Sequence, residues 1–89
     1  MKVKGKLKNG FEYEVDDAVT DDMEMLDALS DAQSTNPLAI SIVVRKLLGE
    51  EQRKALYDAV RREDKTVPIE DVTNAVIEIY ESMGDQGKN

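Results

Sequence analysis

The sequence predicts an α+β protein that is mainly helical, with an N-terminal β-hairpin packed on a bundle of about four short helices. Apolar and charged residues alternate on both sides of Asn9-Gly10, which is typical of a hairpin. Beyond residue 20, apolar residues recur at helical spacing between recognisable start and stop signals. A chain of 89 residues has room for one modest core. We therefore expect a single domain over residues 1–83, followed by a disordered tail over 84–89.

The predicted hairpin covers residues 2–16. A two-residue turn at Asn9-Gly10 would put the apolar rows of the two strands on opposite faces. A three-residue loop over residues 8–10, with Gly10 at positive φ, restores one apolar face. The facing pairs in that register are Val3 with Val15, Gly5 with Tyr13, Leu7 with Phe11, Lys4 with Glu14 and Lys6 with Glu12. The Tyr13 ring would then lie over Gly5, and the apolar face must rest on the helices, because a lone hairpin is marginal in water.

The first two helices are predicted at about residues 21–33 and 37–48. Asp21 starts the first helix, with Glu24 as a capping-box partner, and its apolar stripe combines Met25 or Met23 with Leu26, Leu29 and Ala32. Asn36-Pro37 starts the second helix and Gly49 closes it. The β-branched run over residues 38–44 is also compatible with a strand, but the flanking signals favour a helix. A helix that is apolar on most sides is buried, so we expect this one at the centre.

The last two helices are predicted at about residues 50–62 and 68–83. The third has a narrow stripe formed by Ala55, Leu56, Ala59 and Val60, with Tyr57 beside it. Pro68 opens the fourth helix. Its stripe contains Ile69, Val72, Val76, Ile79, Tyr80 and Met83.

The chain contains neither histidine nor cysteine, which restricts the chemistry it can perform. Catalytic triads and zinc sites built on those residues are excluded. Paired carboxylates are frequent, but they fall at predicted helix starts and loops, where exposed acids are common. We therefore expect no enzyme activity, no catalytic residue, no cofactor and no metal site.

The formal net charge is −7, and residues 16–36 carry seven acidic side chains without a basic one. This distribution argues against nucleic-acid binding, which usually needs a basic face. The acidic stretch is compatible with a basic partner or with solvated helix ends. No run of about 18 apolar residues suggests a membrane span, and no signal peptide is recognisable. We expect a cytoplasmic protein.

Several features in a fixed order resemble a known family. They are the hairpin 2–16, the acidic helix start Asp21-Asp22-Met23-Glu24-Met25-Leu26, then Asn36-Pro37-Leu38, the segment Leu47-Leu48-Gly49-Glu50-Glu51-Gln52-Arg53-Lys54-Ala55-Leu56-Tyr57, and Val67-Pro68-Ile69. Over residues 2–83 the chain resembles the tail assembly chaperones of siphophages and prophages of Gram-positive bacteria. The resemblance implies a non-enzymatic protein of the host cytoplasm that coats the helical tape-measure protein, keeps it soluble and helps recruit tail-tube subunits. It implies no catalytic or ligand residue.

A helical client of this kind fits an apolar groove, which we expect where the first helix meets the hairpin or the last helix. The side chains expected to contact it are Met23, Met25, Leu29, Tyr57 and Tyr80. For the methionines and tyrosines the alternative is a place in the core or at its edge. The domain can also self-associate on its client. Two other functions stay open: an acidic regulatory protein, such as a DNA mimic, and a minor structural subunit of the tail or connector.

Overall fold

The computed structural model describes residues 1–34 and 36–86 of the chain. Two strands, β1 (Lys2–Lys6) and β2 (Glu12–Asp16), are followed by a 3-10 turn (Asp17–Asp21) and by three helices. The helices are α1 (Met23–Gln33), α2 (Ala39–Val60) and α3 (Ile69–Gln86). The predicted fold class, α+β and mainly helical with an N-terminal hairpin, is confirmed.

The hairpin has the predicted register. Val3 pairs with Val15, Gly5 with Tyr13 and Lys6 with Glu12 in an antiparallel sheet. The Leu7 N–H donates to the Phe11 carbonyl oxygen at 2.8 Å, so residues 8–10 form the three-residue loop. Gly10 has a φ of 96°, which an L side chain rarely adopts. The alternation of apolar and charged residues and the glycine at positive φ together set this register.

The first helix begins two residues later than predicted. Asp22, not Asp21, caps α1, because its Oδ1 accepts hydrogen bonds from the N–H groups of Glu24 at 3.0 Å and Met25 at 3.4 Å. Asp21 instead ends the preceding 3-10 turn. Two adjacent aspartates offer alternative caps in the sequence, and the length of the 3-10 turn selects the second.

Residues 39–48 are helical rather than extended, residues 37 and 38 form the turn before them, and Gly49 closes this helix as predicted. Gly49 has φ 75° and ψ 180°, so α2 is divided into a first segment over 39–48 and a second over 50–60. Asn36 Oδ1 accepts from the Leu38 N–H at 3.2 Å, although the regular helix starts only at Ala39. Because α2 contacts α1, α3 and β2, it is the central helix.

The expectation that α2 is buried on most sides is wrong. Five residues of the first segment are buried: Ala39, Val43, Val44, Leu47 and Leu48. Leu38 and Ile42 are exposed. The buried residues follow helical spacing along one stripe, and Leu38 and Ile42 lie outside it.

The second segment of α2 also differs from its predicted stripe. Leu56 is fully buried, Tyr57 and Val60 are partly buried, and Ala55 and Ala59 are exposed. Larger side chains remove more apolar area from water than alanine, which favours the face that carries Tyr57. The helix ends at Val60, because Arg61 is extended, two residues before the predicted end.

Helix α3 completes the core and runs past its predicted end. Val72, Ala75, Val76, Ile79 and Met83 are buried, whereas Ile69 at the first position is exposed. The backbone stays helical over 84–86, residues that were assigned to the disordered tail. The rest of the predicted tail, 87–89, lies outside the described residues. Throughout 1–34 and 36–83, where side-chain burial is described, the buried side chains are hydrophobic and none is charged.

Candidate functional site

The five residues expected to contact a partner occupy different environments. Met25 and Leu29 belong to the core and are 0% and 7% exposed, so they support the fold and are closed to a partner over most of their surface. Met23 is 64% exposed. Tyr57 and Tyr80 are partly buried against the core. They are not one cluster: Tyr57 lines a groove between α2 and α3, and Tyr80 lines another between α1 and α3.

The groove between α2 and α3, here called the α2–α3 groove, is almost entirely apolar. Leu38, Ile40 and Val44 line it from the first segment of α2 and the turn before it. Val67, Ile69 and Val72 line it from the start of α3, and Tyr57 from the second segment of α2. Its volume is about 370 Å³. Apart from Ser41 and the Tyr57 hydroxyl, its lining side chains are hydrocarbon.

Two large side chains of the α2–α3 groove are mostly in water. Leu38 is 81% exposed and Ile69 is 71% exposed. Single exposed apolar residues are common on protein surfaces, but these two line the same concave site. A partner that covered both would remove apolar area that folding alone leaves exposed.

Arg53 contacts the ring of Tyr57, one of the residues that line this groove. The Arg53 guanidinium carbon lies 5.4 Å from the centroid of the Tyr57 ring, a distance suited to a cation–π contact. Arg53 Nη2 also donates to Glu50 Oε1 at 2.6 Å. Arg53 lowers the pKa of the Glu50 carboxyl, first through this hydrogen bond and then through its charge. The same bond, with Tyr57 as the second contributor, raises the pKa of Arg53.

A second cation stands at the edge of the groove. Arg45 Nε donates to Ser41 Oγ at 3.4 Å, and Ser41 is one of the lining residues. Arg45 is exposed and forms no ion pair within the part of the chain that is described. The apolar groove thus has a positively charged border on the side of α2.

The groove between α1 and α3 lies where one of the two expected sites was placed. Leu26, Leu29, Ile77 and Tyr80 line it together with polar side chains such as Gln33 and Glu81. Its volume is also about 370 Å³, but its lining is more mixed. Met23 is not among its lining residues, so the exposed methionine and Tyr80 do not form one site.

Leu38 and Ile69 are exposed, although the sequence predicts both in buried stripes. A usable signal was present. Leu38 and Ile69 each directly follow a proline at the start of a helix. Residues of the first helical turn lie at the end of the element, where neighbouring helices cover less of the circumference. The apolar residues that follow these two prolines are therefore expected to be exposed.

Metal binding and membrane insertion can be checked within residues 1–34 and 36–86. No group of three or more carboxylates is arranged to hold a metal ion in this part of the chain. The acidic side chains of α1, Glu24, Asp27 and Asp31, are exposed, and the cap residue Asp22 pairs through its Oδ2 with Lys46 Nζ at 3.8 Å. None of the helices in this part of the chain combines the length and hydrophobicity needed to cross a bilayer.

No protein-family model matches the chain, and no curated protein or solved structure matches it either.

Proposed function

We propose that this domain is a non-enzymatic binding protein that holds an amphipathic helix of a client protein in the α2–α3 groove. The observation that carries the proposal is the joint exposure of Leu38 and Ile69 along one apolar groove. Burying either side chain fully against a partner would contribute about 1.5–3 kcal/mol before the costs of association. These two residues are the proposed anchors of the interface.

A helix suits this groove better than a small ligand does. Small-molecule sites combine an apolar cavity with several convergent polar groups that fix the ligand's orientation. Here Ser41 and the Tyr57 hydroxyl are the polar groups of the lining side chains. An amphipathic helix needs only apolar contacts from residues spaced i, i+3/i+4 and i+7. Arg45 at the border favours a client helix with acidic residues beside its apolar face.

The resemblance to siphophage tail assembly chaperones supplies the class of client. The tape-measure protein is long and largely helical, so it would expose repeated apolar faces before the tail tube surrounds it. In this proposal, copies of the domain coat the tape-measure protein in the host cytoplasm. The net charge of −7 on each copy would keep the coated client soluble through mutual repulsion.

Co-expression with a siphophage tape-measure protein, followed by affinity capture of the tagged domain, tests the proposal. The wild-type domain should retain the client in low and moderate salt. Leu38→Asp and Ile69→Asp should each reduce capture strongly, because a charge would be buried at the apolar interface. Ile42→Asp is the matched control, since Ile42 is also exposed but does not line the groove. Circular dichroism would verify that all three variants are folded.

Two results would count against this function. Capture that is lost in Met23→Asp but kept in Leu38→Asp would move the interface to α1. An absence of the client from captures of the wild-type domain at both salt concentrations would refute the tape-measure assignment.

The exposed acids of α1 and of the turn before it favour a second candidate, an acidic protein that binds a basic partner as a DNA mimic would. Its affinity would fall steeply with ionic strength, whereas apolar groove binding would not. A structural tail subunit would instead persist in purified particles.

A further inference from the structure

The outer edge of β1 has no partner within residues 1–34 and 36–86. The sheet has two strands only, in the order β1-β2. The Leu7 N–H donates to Phe11 at 2.8 Å and the Asp17 N–H donates to Met1 at 2.9 Å, so the odd-numbered residues of β1 are the hydrogen-bonded ones. The N–H and C=O groups of Lys2, Lys4 and Lys6 therefore point away from β2.

The opposite edge of the hairpin is occupied, which confirms this orientation. Glu14 faces Lys4 across the sheet. The Glu14 N–H donates to Gln52 Oε1 at 2.6 Å, and Gln52 Nε2 donates to the Glu14 carbonyl oxygen at 2.7 Å. Since Glu14 points its backbone groups out toward α2, Lys4 must point its own groups outward on the other side. The Gln52 amide thus occupies the β2 edge at Glu14, whereas no such partner is found along the β1 edge in the described part of the chain.

The lysines of β1 are available to a charged partner. Lys2, Lys4 and Lys6 are exposed, and none of them forms an ion pair with the residues that the structure describes, although Lys4 and Lys6 face glutamates. Just past the strand, an acid already binds this edge. The Lys8 N–H points away from β2, as the N–H groups of the three lysines do, and it donates to Glu78 Oε2 of α3 at 3.2 Å.

We propose that β1 binds an extended segment of a partner protein by strand addition, and that this segment alternates acidic with small or apolar residues. Backbone hydrogen bonds to Lys2, Lys4 and Lys6 would hold the segment, as in other edge-strand complexes. Its acidic side chains would lie beside the three lysines, and its apolar ones beside Val3 and Gly5 on the core side. The site is separate from the α2–α3 groove.

Charge selects this occupant over two others. The β1 strand of a second copy would bring its own lysines alongside these three, and like charges on neighbouring strands repel. A nucleic acid would meet a domain whose net charge is −7. An acidic extended segment is subject to the same net charge, but it complements the three lysines and pairs its backbone N–H and C=O groups with this edge, which a sugar-phosphate backbone cannot do.

Nuclear magnetic resonance on the full-length labelled protein tests the proposal. The probe is a capped peptide with the sequence of residues 11–17, which has the required alternation. The control peptide carries lysine in place of every acid, and a thymidine oligonucleotide tests phosphate binding. With the probe, hydrogen exchange at the Lys4 and Lys6 amides should slow, while the Glu14 amide, already bonded to Gln52, should not change.

Two variants of Lys4 separate the contribution of the backbone hydrogen bond to binding from that of the lysine charge. Lys4→Pro removes the outward N–H without touching a ladder bond, a place where edge strands accept proline, and should weaken binding about tenfold. Lys4→Gln keeps the N–H and should weaken it only about threefold. Lys54→Gln, on α2, should have no effect. Equal binding of the lysine peptide, unchanged affinity in Lys4→Pro, binding of the oligonucleotide alone, or a changed Glu14 amide would each overturn the proposal.

Discussion

The ring of Tyr13 lies over Gly5 on the neighbouring strand and fills the space that a side chain at position 5 would need. A Cβ built on Gly5 would overlap the Tyr13 hydroxyl group and would lie 2.9 Å from Tyr13 Cε2. Tyr13 is buried and belongs to the core cluster. The ring therefore cannot move outward without opening the contact between hairpin and helices, and the pair locks the hairpin register.

Gly5→Ala should lower the free energy of unfolding by about 1–3 kcal/mol, the usual cost of overpacking a filled site. Urea denaturation measures this loss. In a Tyr13→Leu background the same substitution should cost much less, because the overlapping atoms are gone. Equal costs in the two backgrounds would mean that the contact between Gly5 and Tyr13 does not limit position 5.

The hairpin and the position of Gly49 could be predicted because local chemistry decides both. The alternation of side chains allows one register that keeps Val3, Tyr13 and Val15 on one face, and a glycine ends the apolar run of the first segment of α2. The start of α1 was missed because two adjacent aspartates are equally good caps. Only the length of the preceding 3-10 turn, a tertiary feature, selects Asp22.

The candidate site could be predicted only in part. A groove was expected where the first helix meets the hairpin or the last helix, and Tyr80 lines such a groove between α1 and α3, whereas Tyr57 lines the α2–α3 groove, which was not expected. Helical periodicity marks which residues share a face, but not how much of that face a neighbouring element covers. Met25 was therefore assigned to a partner although it is core, and Ile69 was assigned to the core although it is exposed.

Substitution of Gly49 should destabilise the protein through the backbone alone. Nothing lies within 4 Å of a Cβ at this position, so steric overlap is not a factor. Its φ of 75° and ψ of 180° lie in a region that essentially only glycine adopts. Gly49→Ala should cost about 1–3 kcal/mol, and Gly49→Asn should cost as much, because asparagine tolerates the left-handed helical region but not this one.

Unfolding in urea compares these variants with Glu51→Ala, an exposed helical position beside the break that should change stability little. If Gly49→Asn were as stable as the wild type, position 49 would have a left-handed helical conformation in solution instead.

Gln52→Glu should destabilise the protein more at pH 7 than at pH 4. The amide nitrogen of Gln52 donates to the carbonyl oxygens of Glu14 at 2.7 Å and Leu48 at 3.0 Å. A carboxylate there would face two acceptors, which raises its pKa in the folded state above the unfolded value. Because folding raises this carboxyl pKa, the loss of stability caused by Gln52→Glu grows as the pH rises and the group ionises. It disappears at low pH, where the group is protonated.

The expected cost of Gln52→Glu is about 1–3 kcal/mol at neutral pH, measured by urea denaturation across that pH range. Gln52→Met keeps the length of the side chain without its polar atoms, and its smaller cost should not vary with pH in this way. A pH-independent cost of Gln52→Glu would show that the amide nitrogen contributes nothing at this edge.

Asp64 should make part of the stability acid-sensitive. Its Oδ1 accepts hydrogen bonds from the Thr66 hydroxyl at 2.6 Å and the Thr66 N–H at 3.0 Å, and these two bonds lower the pKa of the carboxyl. Because folding lowers this carboxyl pKa, the ionised group stabilises the fold fully above the ordinary aspartate pKa of about 3.9. This stabilisation is lost as the pH falls through the lower pKa of the folded state. Asp64→Asn keeps the accepting oxygen but cannot titrate, so its urea midpoint should lie below that of the wild type at pH 6, and the two should converge near pH 2. Thr66→Val, which removes the hydroxyl donor, should reduce the same pH-dependent difference, whereas midpoints that stay parallel down to pH 2 would exclude this role for Asp64.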